Sequence, residues 1–169
     1  MNRAIRNKML KENYSKLLII VVTVALTFVG CNRKTIFSHY ESTPVEGWEM
    51  GEDLLFDVGR VMEDGTYETA IGIRTTLDYP YTSITLIVEQ DVRPGLRKYV
   101  DTVSVELMDH DGTVLGKGVS AFQYVIPYRR LQLNKDDSLH VAVSHCMARE
   151  ILPGILDVGL IVSSTDSRE

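Results

Sequence analysis

The chain has 169 residues and an uneven charge distribution: of its 18 basic and 23 acidic residues, five basic and one acidic fall in the first 30. The remaining 139 residues therefore hold 13 basic against 22 acidic side chains, a net of −9. So acidic a domain is a poor candidate for binding nucleic acid or for docking electrostatically on anionic lipid.

The first 30 residues read as an export signal. Arg3, Arg6, Lys8, Lys11 and Lys16 precede an uncharged run over residues 17–30, and Gly30, a small residue, stands directly before Cys31. That is the order of a basic region, an apolar region and a cleavage point. The run is 14 residues long, short of the roughly 20 needed to span a bilayer, which argues against a retained transmembrane helix. Leu26-Thr27-Phe28-Val29-Gly30-Cys31 resembles a lipobox, in which the cysteine thiol is alkylated by diacylglycerol and becomes the new N-terminus; Phe28 stands where leucine is commonest. A lipidated Cys31 tethers everything downstream, because each buried methylene contributes about 0.8 kcal/mol and two or more chains hold firmly. The other cysteine, Cys146, then has no intrachain partner for a disulfide, and its place at the end of an apolar alternation suggests a buried small hydrophobe.

Residues 31–46 are polar and aperiodic and read as a tether; residues 47–169 read as one domain, a comfortable size for a single core. Strand patterns follow in order. Residues 54–58 come first, then Tyr67, Thr69, Ile71 and Ile73 alternate with Glu68, Ala70, Gly72 and Arg74, and Ile84, Leu86 and Val88 repeat the period of two. Val103, Val105 and Leu107 alternate with Ser104 and Glu106, after which Asp109-His110-Asp111-Gly112 predicts a turn and Val114-Leu115 a return strand. Further strands are expected over 119–126, 130–133, 139–143 and 155–162. The one short helical candidate is 146–152, closed by Pro153-Gly154. Eight or nine strands at this spacing predict an all-β fold, an antiparallel β-sandwich with a jelly roll as its natural variant.

No constellation selects a reaction. His39, His110, His140 and His145 are scattered, and the period of two places His140 and His145 on opposite faces of their strand, so no metal site is expected. There is no Gly-x-Ser-x-Gly and no glycine-rich phosphate loop, so neither a nucleophile elbow nor a nucleotide cofactor is expected. Tyr79-Pro80-Tyr81 offers two readings: exposed rings that stack on sugars or enter a partner pocket, or a rigid turn whose rings cover the sandwich edge. Arg149 and Glu150, charged and set beside apolar Ile151 and Leu152, read as either a plug on the end of the sandwich or a partner contact.

Several stretches together resemble the gliding motility lipoprotein GldH family of Bacteroidetes. They are Gly47-Trp48, Arg74-Thr75-Thr76-Leu77-Asp78-Tyr79-Pro80-Tyr81, Leu86-Ile87-Val88-Glu89-Gln90, Asp101-Thr102-Val103, Leu115-Gly116-Lys117-Gly118 and Asp137-Ser138-Leu139-His140-Val141. The most distinctive runs from His145 through Met147, Arg149-Glu150 and Leu152-Pro153-Gly154-Ile155 to Asp157-Val158-Gly159. The resemblance implies a non-enzymatic envelope lipoprotein that works beside other lipoproteins and motility or type IX secretion components. The competing reading is a carbohydrate-binding lipoprotein, since β-sandwiches with exposed aromatics bind sugars. Asn32-Arg33-Lys34-Thr35 lacks the acidic cluster that resembles a surface-export signal, so the expected location is the periplasmic face of the outer membrane.

Overall fold

The computed structural model describes residues 34–165; Cys31, the export segment and residues 166–169 lie outside them. Eleven strands and no helix occur among the described residues: β1 (Lys34–Ser42), β2 (Trp48–Glu49), β3 (Leu54–Val58), β4 (Gly65–Thr75), β5 (Ser83–Arg93), β6 (Arg97–Glu106), β7 (Lys117–Gly118), β8 (Phe122–Leu133), β9 (Ser138–His145), β10 (Ile151–Leu152) and β11 (Ile155–Ser164). One sheet runs β1-β11-β4-β8-β7, the other β3-β9-β5-β6, and β2 and β10 form a small separate pair. All pairings are antiparallel. Of the eight long strands, the first sheet takes the first, eighth, third and sixth in chain order, and the second sheet takes the second, seventh, fourth and fifth. That is the double-sheet order of a jelly roll.

The alternation read from the sequence decides which side chains form the core. Tyr67, Ile71 and Ile73 of β4 and Val158, Leu160 and Val162 of β11 are buried, as are Ile84, Leu86 and Val88 of β5 and Leu139, Val141 and Val143 of β9. Each such aliphatic contributes roughly 1.5–3 kcal/mol when fully buried. The same period puts His145 inside and His140 outside, where its Nδ1 meets Asp57 Oδ1 at 2.5 Å.

Five expectations need correction. Residues 34–42, read as part of a tether, are β1, which pairs with β11 from Lys34↔Ser164 to Ser42↔Asp157. Its apolar Ile36 and Phe37 are adjacent at a bulge, where the register with β11 shifts between Thr35 and Phe37, so the strand carries no regular apolar alternation. The two strands expected over 119–126 and 130–133 are the single β8, whose inward residues switch from even numbers (Tyr124, Ile126) to odd (Leu131, Leu133) across a register shift between Thr69 and Ala70 of the partner. Pro127, which has no N–H to donate, sits at that bulge, the usual place for a proline within a sheet. The helical candidate 146–152 is a loop leading into β10, and Cys146 is exposed rather than buried. Val114 makes only an isolated bridge to Met108 instead of a strand. The turn before it is as expected: Asp109 Oδ1 accepts the N–H groups of Asp111 and Thr113 at 2.9 and 2.8 Å, and Gly112 has φ +79°.

The strands connect two ends. At one lie Lys34, the loops 59–64, 94–96 and 134–137, and Ser164; at the other lie the loops 43–53, 76–82, 107–121 and 146–154.

Candidate functional site

The second of these ends is tied together around Trp48. Its indole is fully buried and its ring N–H donates to Glu52 O at 2.9 Å. His145, the last residue of β9, meets the Trp48 ring edge-on at 5.1 Å and reaches Trp48 O with Nε2 at 2.9 Å. A carbonyl only accepts, so Nε2 carries the proton and Nδ1 is left to accept Met147 N–H at 3.4 Å. Leu152, fully buried, pairs with Trp48, and Ile151 with Glu49, which docks β10 on β2. Met50 N–H donates to Glu150 O at 2.7 Å and extends the pairing by one step.

The stretch around Tyr79 meets the chain just after β10, at Gly154. Thr76 N–H donates to Gly154 O at 2.8 Å, and Gly154, at φ +79°, lies so close that a Cβ there would meet Tyr79 N at 2.4 Å. The candidate side chains here divide between inside and outside. Tyr79 is 3% exposed, and its hydroxyl donates to Ser83 O at 2.8 Å. Burial pushes its phenol far above the usual tyrosine range, helped by the neighbouring Tyr81. The Tyr81 ring meets Tyr79 edge-on at 5.9 Å and stays half-buried. Tyr79 therefore offers no free ring to a sugar or a partner, while Tyr81 keeps part of its ring at the surface. Arg149 and Glu150 are exposed on the β9–β10 loop.

Three features escaped the sequence. On the outer face of the first sheet, the Tyr40 ring fills the gap above Gly72 and Gly159, which are paired across β4 and β11. Arg74 lies over that ring at 5.3 Å and grips buried Asp157 with two bonds of 2.6 and 2.5 Å. Between the free edges of β6 and β8, Asp101 accepts Tyr128 O–H at 2.6 Å and pairs with Arg129, whose guanidinium lies 4.6 Å from the Tyr99 ring. The bonds from Tyr128 and then Arg129 hold the Asp101 carboxyl below its ordinary range; burial, then the bond to Asp101, pushes the Tyr128 phenol up to about 12. Further along the same edge, Val105, Leu115, Lys117, Tyr124 and Val125 line an open groove of about 510 Å³. The paired glycines facing an aromatic strand were the one available signal; the Asp101 cluster joins residues 27 or more positions apart.

The comparisons with known proteins agree with this frame. The sequence model described as GldH lipoprotein matches residues 35–162. The gliding motility lipoprotein GldH of Flavobacterium johnsoniae is 24% identical over 154 residues, covering 87% of this chain and 96% of its own. A GldH homolog of Christiangramia forsetii is 25% identical over 158 residues, covering 88% and 95%. Among solved structures, the Eiger TNF of S. frugiperda covers 81% of this chain at 12% identity and a TM-score of 0.30, too loose a likeness to bear on the fold. The family match begins at the second residue of β1 and ends within β11, so it takes in the whole sandwich: the chain belongs to the GldH lipoprotein family.

Proposed function

We propose that this protein is held in the cell envelope by acylated Cys31, on the periplasmic face of the outer membrane, and serves without catalysis as an accessory component of gliding motility or type IX secretion machinery. The family match across the whole sandwich carries this reading, since the relatives are named as gliding motility lipoproteins. The site chemistry supports it. The polar side chains at the loop end serve the fold: His145 fixes Trp48, Tyr79 fixes its own turn, and Asp157 fixes Arg74. Exposed Arg149 and Glu150, with the half-buried Tyr81, contribute to contact with another envelope component. The carbohydrate-binding alternative loses its motive once Tyr79 faces inward.

The test is genetic and biochemical. A deletion strain carrying the wild-type gene should regain motility or type IX-dependent secretion, whereas Cys31→Ala should leave the domain in the soluble envelope fraction and fail to complement. Full complementation by a soluble Cys31→Ala protein would overturn the anchored reading. Digestion of the protein by protease added to intact cells would overturn the periplasmic placement.

A further inference from the structure

The exposed large apolar side chains of the loops are unevenly divided between the two ends of the sandwich. Around the β2–β10 pair stand Val45, Met50, Leu77 and Ile151, with Leu77 66% and Ile151 47% exposed, and Leu156 at the start of β11; at the opposite end the described residues expose Met62, Leu96 and, on β1, Ile36. The loops bearing the first group are joined to one another. Met50 N–H donates to Glu150 O, Thr43 N–H to Leu156 O at 3.1 Å and Thr76 N–H to Gly154 O, while a Cβ on Gly47 would meet Ile151 Cγ2 at 2.8 Å. The apolar side chains are thus held on an ordered platform, which lowers the entropy cost of docking on it.

Charge surrounds them asymmetrically. Glu46, Glu49, Glu52, Asp53, Asp78 and Glu150 are exposed on the same loops, against Arg149 there and Arg74, which is exposed at the end of β4 and paired with Asp157. A surface with an apolar centre and an acidic rim complements one with apolar residues inside a basic rim, and like charge excludes acidic partners.

Chain length argues against tip-first insertion of this end into the membrane. Cys31 precedes Lys34 by three peptide steps, a reach of about 11 Å at full extension. From Lys34, β1 carries the chain about 26 Å to Ser42 and the apolar end. Inserting that end tip-first into the bilayer that holds Cys31 would demand a span the tether lacks.

We infer that the end of the sandwich built on β2 and β10 is a protein-docking surface directed away from the anchoring membrane, and that it receives a protein segment with apolar side chains flanked by lysine or arginine. This rests on the anchored reading above and gives its partner a chemistry.

The test places a photo-crosslinking amino acid at Met50, Leu77 or Ile151, and for comparison at Met62 or Leu96, in the full-length protein in living cells. Products should form from the first three positions, and mass spectrometry of the joined peptide should show a Lys- or Arg-bearing segment of a different protein. Ile151→Asp should lower the yield at Met50 about tenfold, as loss of one central apolar anchor does, and Glu49→Lys with Glu150→Lys should lower it several-fold, both at unchanged protein level and protease resistance. Products from Met62 and Leu96 alone, a joined peptide from a second copy of this chain, a lipid adduct, an acidic partner segment, or yields indifferent to both variants would each overturn the inference. Fractionation of the same cells separates the two readings: protein absent from membranes defeats the anchored reading, while membrane-bound protein with the wrong crosslinks defeats only the docking surface.

Discussion

Tyr79, Gly154 and Ser83 form a joint in which one residue's chemistry depends on the others. Gly154 is required twice over, by its positive φ and by the backbone of Tyr79 beneath it. Gly154→Ala is therefore expected to destabilise the domain by about 2 kcal/mol or more, read from the urea midpoint, because backbone atoms cannot swing aside as a side chain can. Arg149→Ala, on an exposed loop beside it, should stay within about 0.5 kcal/mol of wild type. The Asp101–Tyr128 pair gives a pH signature whose sign follows from its shifts. Asp101 is lowered in the fold, so its stabilising effect is present above the ordinary carboxylate range and is lost as pH falls through it. Tyr128 is raised to about 12, so its effect is complete below the ordinary phenol value near 10 and is lost as pH rises through 12. Asp101→Asn should accordingly lower the melting temperature at pH 7, and the gap to wild type should close as pH falls through the lowered Asp101 value. A constant gap across that range would show that the ionised carboxylate is not what the fold uses.

At the level of elements, the smallest one is decisive. β2 is two residues long, yet its Trp48 is fully buried, accepts a hydrogen bond from His145 and pairs with Leu152. Trp48→Ala should cost about 3–5 kcal/mol, the range for an aromatic removed from a core, and should free loops 43–53 and 146–154 together in hydrogen exchange. Loss of protection in only one of them would mean that β10 docks without β2. The bulge in β8 shows the limit of reading elements from periodicity. A strand that changes phase at Pro127 looks like two strands to a rule that counts alternation, and only the ladder with β4 shows that the chain continues. The edge strand β1 is the converse case: a real strand whose bulge between Thr35 and Phe37 breaks the alternation.

For the whole molecule, the jelly roll separates the end where β1 begins from a loop-rich end. Near the first, Lys34 follows Cys31 by three residues; at the second, apolar side chains lie within an acidic border. A prediction at this scale concerns reach. Inserting about ten Gly/Ser residues between Arg33 and Lys34 adds a flexible span of roughly 15–20 Å on average. It should leave folding and acylation intact while weakening complementation if the docking end must stand at a fixed height above the membrane. Equal complementation by the lengthened protein would show that height is not set by the tether.

The sequence by itself determined the export signal, the all-β class, the alternation that fills the core and the family resemblance, because these depend on local order: a basic segment before an apolar one, a period of two, and motifs read along the chain. It also placed the stretches around Tyr79 and Arg149 among the candidates. Only the tertiary structure decided what those residues do. Tyr79 is turned inward because Gly154, 75 residues away, closes over its backbone, and Met50 and Ile151 become neighbours because β2 and β10 pair across 100 residues of chain. Burial and adjacency are properties of the packed sheets, and a one-dimensional pattern of residues carries neither.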